Sequence, residues 1–282
     1  MNRFRTMPLG LIFLLLLIPA RAAKADADAA AAGPKNDRFV VITDSHGVGH
    51  FGEQLAHWLR NRPNTKFDFL ASGASAPAQW TNNAFTTPCG FRDGSNINPP
   101  RPRACKKLHT DALRDLWKAQ GRRTDDERRI SIIVLGTNFG MQPEIRAQQV
   151  LDTQKLLEDA MKTSDRCLWM GPPNMTRPHG FDAAGVEYKV KIIKEAIKLT
   201  AEKTGKPPCQ FVDSRDFSTY PKASPTPPST KPDGIHLHWP GNKDALAIKA
   251  SGDWADGVAA QADCLLALPV RADAGSSDNS CH

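Results

Sequence analysis

Residues 38–47 read Arg-Phe-Val-Val-Ile-Thr-Asp-Ser-His-Gly, and this stretch decides the fold class. Its first six residues are mostly β-branched or aromatic, which predicts a buried strand. The strand ends at the turn Asp44-Ser45-His46-Gly47. A helical pattern follows, with apolar residues at Phe51, Leu55, Trp58 and Leu59. A strand, a tight turn and an amphipathic helix in this order predict the first unit of an α/β domain.

Four more strand patterns follow and alternate with helical patterns. The strands are expected near residues 67–71, 130–135, 166–170 and 210–212, and the helices near 108–120, 143–161, 183–203 and 242–260. Continuous apolar strands between amphipathic helices predict a doubly wound parallel sheet of five strands in three α/β/α layers. Residues 81–104 and 217–232 are rich in turn residues and are predicted to be loops. We expect one domain over residues 37–265, followed by a polar tail over 266–282.

The first 25 residues have the features of a secretory signal peptide. A basic start precedes a short apolar run, and Ala23-Lys24-Ala25 offers the small residues of a cleavage site. An uncleaved membrane anchor is the alternative, but the apolar run is shorter than the roughly 20 residues a spanning helix needs. We therefore expect a flexible lead-in over residues 26–36, a secreted or periplasmic protein, and no stable membrane insertion after cleavage.

The net charge of +7 is partly a property of that leader. Residues 1–25 hold four bases and no acid, so the remaining chain is close to +3. This balance gives no reason to expect a nucleic-acid partner. Local basic clusters remain at 101–107 and 122–129. We expect a solvated face there; a rim that attracts an anionic polymer or headgroup is the alternative.

Six cysteines follow the leader, an even number that indicates disulfides in an exported protein. Fifteen pairings are possible, and local loops suggest three of them. These are Cys89–Cys105, Cys167–Cys209 and Cys264–Cys281. No CxxC occurs, and no spacing of Cys and His is typical of a zinc site.

Two separated motifs point to nucleophilic catalysis. Ser45 lies in a strand-to-helix turn, where free backbone N–H groups can stabilise an oxyanion. In Pro232-Asp-Gly-Ile-His236, the Asp233 carboxylate can hold one imidazole nitrogen of His236 and leave the other to accept a serine proton. Either motif alone is more typical of a helix cap or a surface turn. Together they predict a nucleophile and its general base.

Two candidate oxyanion donors follow other predicted strands. Gly73 can offer an unshielded backbone N–H, and Asn138 can offer a side-chain amide. Because functional sites in doubly wound sheets lie at the carboxyl ends of the strands, Ser45, Gly73 and Asn138 are expected at one edge.

In this order along the chain, the motifs resemble the SGNH (GDSL-like) hydrolases, which are named after Ser, Gly, Asn and His. The resemblance spans about residues 38–260, and its four blocks are Thr43-Asp-Ser45, Ser72-Gly73, Gly136-Thr-Asn138 and Asp233-Gly-Ile-His236. It implies a flavodoxin-like fold, no metal and no cofactor, and ester hydrolysis through an acyl-enzyme. By the same resemblance, Ser45 is the nucleophile, Asp233 and His236 complete the catalytic residues, and Ser45, Gly73 and Asn138 form the oxyanion hole. Thr43 and Phe139 depart from the family pattern.

The substrate is less well determined. His46 and His238 are candidate substrate contacts, and His238 is a second candidate base. The polar loop 81–104 suits a sugar better than an acyl chain, so we expect an acetyl ester on a polysaccharide. A lipase or lysophospholipase, an O-acyltransferase and a non-catalytic glycan-binding module are the alternatives.

Overall fold

The sheet is built around β1 (Asn36–Thr43), the strand that the opening motif predicts. The computed structural model describes residues 36–83, 85–97, 104–220, 233–241, 243–268 and 281. Within them β1 pairs in parallel with β2 (Thr65–Ser72) on one side and with β5 (Glu127–Val134) on the other. Both faces of β1 are buried, since Phe39 and Val41 pack on one side of the sheet while Val40 and Ile42 pack on the other.

Seven strands form this sheet in the described residues, in the order β4-β3-β2-β1-β5-β6-β7. The remaining ones are β3 (Phe85–Gly94), β4 (Lys106–Thr110), β6 (Arg166–Met170) and β7 (Gln210–Val212). β1, β2, β5, β6 and β7 are parallel, whereas β3 and β4 are antiparallel. The α/β class is therefore confirmed, and the number of five strands is wrong by two.

The two additional strands arise where a loop and the start of a helix were predicted. β3 contains Pro, Gly and Asp, which are depleted in strands, so its sequence gives no strand signal. Tertiary contacts determine it instead: Arg92 forms a bidentate ion pair with Asp68 of β2, and Ser72 hydrogen-bonds Thr110 of β4. The Cys89–Cys105 disulfide also links the middle of β3 to the residue just before β4.

Helices cover both faces of the sheet, so the protein has three layers. On one face lie α1 (His50–Asn61) and α5 (Ala245–Ala267). On the other lie α2 (Leu113–Ala119), α3 (Pro143–Thr163) and α4 (Ala183–Thr204). Each helix buries an apolar stripe against the sheet, and such burial contributes about 1.5–3 kcal/mol per large side chain. No helix in the described part of the chain is long and apolar enough to cross a membrane.

The cysteines are paired as Cys89–Cys105, Cys167–Cys209 and Cys264–Cys281, the combination that the local loops suggest. The last pair attaches residue 281 to α5. The predicted signal peptide, the lead-in apart from Asn36, and residues 221–232 of the proline-rich segment lie outside the described residues. So does the predicted tail, except for residues 266–268 and 281.

Candidate active site

Ser45 lies immediately after β1, in a 3₁₀ turn over Ser45–Val48. Asp44 fixes this turn: its N–H donates to the Val134 carbonyl at 3.2 Å, and its carboxylate accepts from the His46 N–H at 3.1 Å. Thr43, at the position where the family pattern has glycine, is buried and donates its hydroxyl to the Asp44 carbonyl. The serine hydroxyl therefore stands at the carboxyl edge of the sheet on a constrained turn.

The segment Asp233–His236 forms a second tight turn. One carboxylate oxygen of Asp233 accepts from the N–H groups of Ile235 and His236, at 2.8 and 2.7 Å. Gly234 adopts a φ of +79°, in the left-handed region that favours glycine. A Cβ there would lie 2.8 Å from the backbone nitrogen of Arg177. Both the dihedral angle and the close approach therefore require glycine between the acid and the histidine.

The two turns meet through the histidine side chain. His236 Nε2 lies 2.8 Å from Ser45 Oγ, and His236 Nδ1 lies 2.6 Å from Asp233 Oδ2. Partial burial raises the pKa of the Asp233 carboxyl, but hydrogen bonds from His236 and Ile235 outweigh it and hold that pKa well below its usual range. The ionised carboxylate can accept a hydrogen bond from the Nδ1–H group, which leaves Nε2 free to take the proton of the serine hydroxyl.

The predicted oxyanion donors have different surroundings. The Ser45 N–H has no hydrogen-bond acceptor among the described residues, so it is available to a ligand. The Asn138 Nδ2 donates one hydrogen to the Ser75 carbonyl at 2.9 Å and retains a second one. The prediction for Gly73 does not hold, because its N–H donates to the Cys89 carbonyl at 2.8 Å.

The position of β3 explains that difference. The pairing of β3 with β2 ends at Ser72 and Gly90. The carbonyl of Cys89 therefore lies against the backbone N–H of Gly73, the residue after Ser72. A Cβ at position 73 would lie 2.7 Å from that oxygen. Gly73 therefore permits the close approach of β3 and does not present its amide to the site.

The two additional histidines are not open substrate contacts. His46 is only 3% exposed, and its ring packs between His236 and Trp254, with ring centroids 5.2 Å from each. His238 accepts from the His50 N–H at 3.1 Å through Nδ1, so it caps the start of α1.

Three residues that sequence reasoning missed lie around the two turns. Tyr220 Oη accepts from the Gly234 N–H at 2.7 Å and donates to the His236 carbonyl at 3.1 Å. Trp239 packs beside the His236 ring and is 37% exposed. Lys189 is buried and donates to the Thr137 carbonyl. Nothing in the local sequence marks these residues, since each acts through a contact with a distant part of the chain.

The basic cluster at 122–129 lies at the opposite edge of the sheet, because Arg128 and Arg129 are at the amino end of β5. Both are already paired: Arg128 holds Asp37 with two hydrogen bonds of 2.7 Å, and Arg129 holds Glu127 at 2.7 Å. This cluster is therefore not a rim of the candidate site. The described residues contain no group of three or more His, Cys, Asp or Glu side chains arranged to hold a metal ion.

Comparison with known proteins gives distant structural likenesses. No family model matches the chain, and no curated protein matches it. A carbohydrate acetylesterase from Sinorhizobium meliloti has a TM-score of 0.47 at 14% identity, with 81% of this chain and 99% of that chain covered. A structure described as a peptidoglycan O-acetylesterase in action has a TM-score of 0.44 at 11% identity, with 86% and 95% covered. An extracellular lipase from Streptomyces rimosus has a TM-score of 0.32 at 11% identity, with 78% and 99% covered. Likenesses this distant carry no activity over to this chain.

Proposed function

We propose that this chain is an exported serine esterase of the SGNH type, which hydrolyses carboxylic esters through an acyl-enzyme. The observation that supports this most directly is the unbroken hydrogen-bond chain from Asp233 through His236 to Ser45, with links of 2.6 and 2.8 Å. Ser45 and His236 are 191 positions apart in the sequence. A nucleophile, a base and an orienting acid in this geometry are what acyl transfer requires.

The proposed reaction begins when Ser45 Oγ attacks the ester carbonyl carbon while His236 Nε2 takes the hydroxyl proton. The resulting oxyanion is stabilised by the Ser45 N–H and the second hydrogen of Asn138 Nδ2. As the C–O bond to the alcohol breaks, His236 returns the proton to the leaving oxygen. Water then attacks the acyl-serine with His236 again as base, and the carboxylic acid is released.

We extend the proposal to acetyl esters on a polysaccharide, such as a cell-wall glycan. The exposed indole of Trp239 beside His236 supports it, since an aromatic face can pack against the C–H groups of a sugar ring. β3 also contacts the 3₁₀ turn of Ser45, so the segment predicted as a polar loop does reach the site, as a strand braced by Cys89–Cys105. A lipase, a lysophospholipase and an O-acyltransferase are outcomes that the experiment below separates.

The proposed location is the periplasm or the exterior of the cell. Three disulfides support it, because such bonds persist in oxidising compartments. The features of residues 1–25 support it independently.

The test is a panel of p-nitrophenyl esters of rising chain length, assayed with the wild type, Ser45→Ala and Ser164→Ala. Ser164 is the control, because it caps α3 at the opposite edge of the sheet. We expect hydrolysis that is fastest for acetate, lost in Ser45→Ala and kept in Ser164→Ala. Full activity of Ser45→Ala would exclude Ser45 as nucleophile. A preference for long chains would indicate a lipase, and acetylated product on an added sugar alcohol would indicate a transferase.

A further inference from the structure

Lys189 is an anomaly in the pattern of α4. The other lysines near it on this helix, Lys191, Lys194 and Lys198, are exposed, whereas Lys189 is 0% exposed and lies on the buried face with Val186 and Val190. Removing an ammonium group from water costs several kcal/mol unless the protein provides partners for it. A lysine buried in the apolar stripe of a helix is therefore expected to have a function other than packing.

Its partners connect it to the candidate site. The Nζ atom donates to the Thr137 carbonyl at 2.6 Å and lies 3.8 Å from the centre of the Phe181 ring. Burial lowers the pKa of Lys189 to about 8, against the charges of Asp44 and Asp182, which raise it. Asp44 belongs to the turn that holds Ser45, and Asp182 caps α4 itself.

Thr137 links the lysine to both halves of the site. The hydroxyl and the backbone N–H of Thr137 lower the pKa of the Asp44 carboxyl, which burial nevertheless raises to about 6. The same carboxyl accepts from the His46 N–H. The next residue in the chain is Asn138, the candidate oxyanion donor. Lys189 thus holds the carbonyl of Thr137, the residue that directly precedes Asn138.

We propose that Lys189 is a positioning residue, which holds the loop Gly136–Asn138 against the Ser45 turn and so places Asn138 for oxyanion binding. This inference rests on the proposed esterase function. The lysine does not touch substrate; it acts through Thr137. Its removal should therefore slow the chemical step while leaving ground-state binding nearly unchanged, because the oxyanion forms only during the reaction.

The experiment compares Lys189→Met, Lys189→Gln and the control Lys191→Met, which removes an exposed lysine from the same helix. Active sites are counted with a fluorophosphonate, and kcat and KM for p-nitrophenyl acetate are measured per titrated site. We expect Lys189→Met to lower kcat about 10–100-fold, as small misplacements of catalytic groups do, with KM within about threefold. Lys189→Gln can still donate to Thr137 and should retain more activity, while Lys191→Met should match the wild type.

Two further measurements, the unfolding temperature and the pH dependence of kcat, distinguish a positioning role of Lys189 from a purely structural one. Because a buried charge is replaced by an apolar chain of similar size, Lys189→Met should unfold at a temperature equal to or above that of the wild type. In the wild type kcat should decline above about pH 8 toward the level of Lys189→Gln, as Lys189 becomes a neutral donor beside Asp44, Asp182 and the neutral His46. That alkaline limb should be absent from Lys189→Gln.

Equal kcat per site in Lys189→Met and Lys191→Met would overturn the inference, as would a raised KM at unchanged kcat. If Lys189→Met does not fold, Lys189→Gln decides by the same two criteria. A wild type that hydrolyses no ester would instead refute the proposed function, so the two failures are distinguishable.

Discussion

The indole ring of Trp239 lies beside the imidazole of His236, with the ring centroids 4.7 Å apart and the planes inclined by 59°. The tryptophan is 37% exposed, an unusual degree for so large an apolar side chain. It follows His236, the proposed general base, by three residues, and in the proposed mechanism the leaving alcohol would take its proton from His236 beside this ring. An exposed aromatic face at this point is suited to the sugar that carries the ester.

Replacement of Trp239 by alanine should therefore affect polysaccharide and small esters differently. We expect KM for an acetylated oligosaccharide to rise about tenfold, which corresponds to about 1.4 kcal/mol of lost contact. KM and kcat for p-nitrophenyl acetate should stay within about threefold, because that substrate has no sugar ring. Leu151→Ala, at an exposed apolar site on α3, is the control and should change neither. Equal losses on both substrates would contradict a role for Trp239 in sugar binding.

Asp233→Asn should lower kcat about 10³–10⁴-fold without unfolding the protein. The asparagine oxygen can still accept from the N–H groups of Ile235 and His236, so its NH₂ group must face His236 Nδ1. That arrangement moves the imidazole proton to Nε2, which then cannot accept the proton of Ser45. The measurement is kcat together with the thermal midpoint. A variant with near wild-type kcat would show that this carboxylate does not orient the base.

Much of the geometry of the candidate site could be predicted because its signals are local. The buried strand before Ser45 places the serine at the sheet edge, and the three-residue spacing of Asp233 and His236 allows a single turn to join them. The parts that failed depend on contacts between distant residues. The strand around Cys89 forms by pairing with β2, and this pairing occupies the amide of Gly73. Neither the pairing of β3 with β2 nor the hydrogen bond of the Gly73 N–H can be predicted from the residues next to Cys89 or Gly73 alone.

The same reason explains the residues that went unnoticed. Lys189 belongs to a helix predicted correctly, yet a helical pattern does not tell which lysine is buried. Tyr220 lies in the predicted proline-rich loop 217–232 and contacts the turn Asp233–His236 from 14–16 positions away. Sequence patterns locate the candidate reacting groups, whereas the residues that hold them in place become visible only once the chain has folded.

Tyr220→Phe should destabilise the turn Asp233–His236. The hydroxyl accepts from the Gly234 N–H and donates to the His236 carbonyl, so its removal leaves a buried amide without a partner. Such a loss costs about 1–3 kcal/mol, and we expect a corresponding fall in the free energy of unfolding and about a tenfold lower kcat. The matched control is Tyr188→Phe, since the Tyr188 hydroxyl has no hydrogen-bond partner among the described residues. Equal effects of the two substitutions would refute the bridging role.

His46→Phe should change how stability depends on pH. The folded protein buries the His46 ring, and burial, together with the charge of His236, lowers its pKa well below the usual value. Its Nε2 has no hydrogen-bond partner in the described part of the chain. Folded His46 therefore stays neutral at a pH where the unfolded chain, with a pKa of about 6.5, takes up a proton. A lowered histidine pKa gives stability that is present above about pH 6.5 and is lost as the pH falls.

The phenylalanine variant lacks this titration but keeps the backbone N–H that donates to Asp44. Below about pH 6.5 the wild type should thus lose up to about 1.4 kcal/mol per pH unit relative to the variant, measured by urea unfolding at pH 5, 6, 7 and 8. Asp44 acts in the opposite sense, because burial raises its pKa to about 6 and the folded state binds a proton first. Since Asp44 is present in both proteins, its contribution largely cancels in the difference. Parallel curves for the wild type and His46→Phe would mean that His46 is not held neutral by the fold.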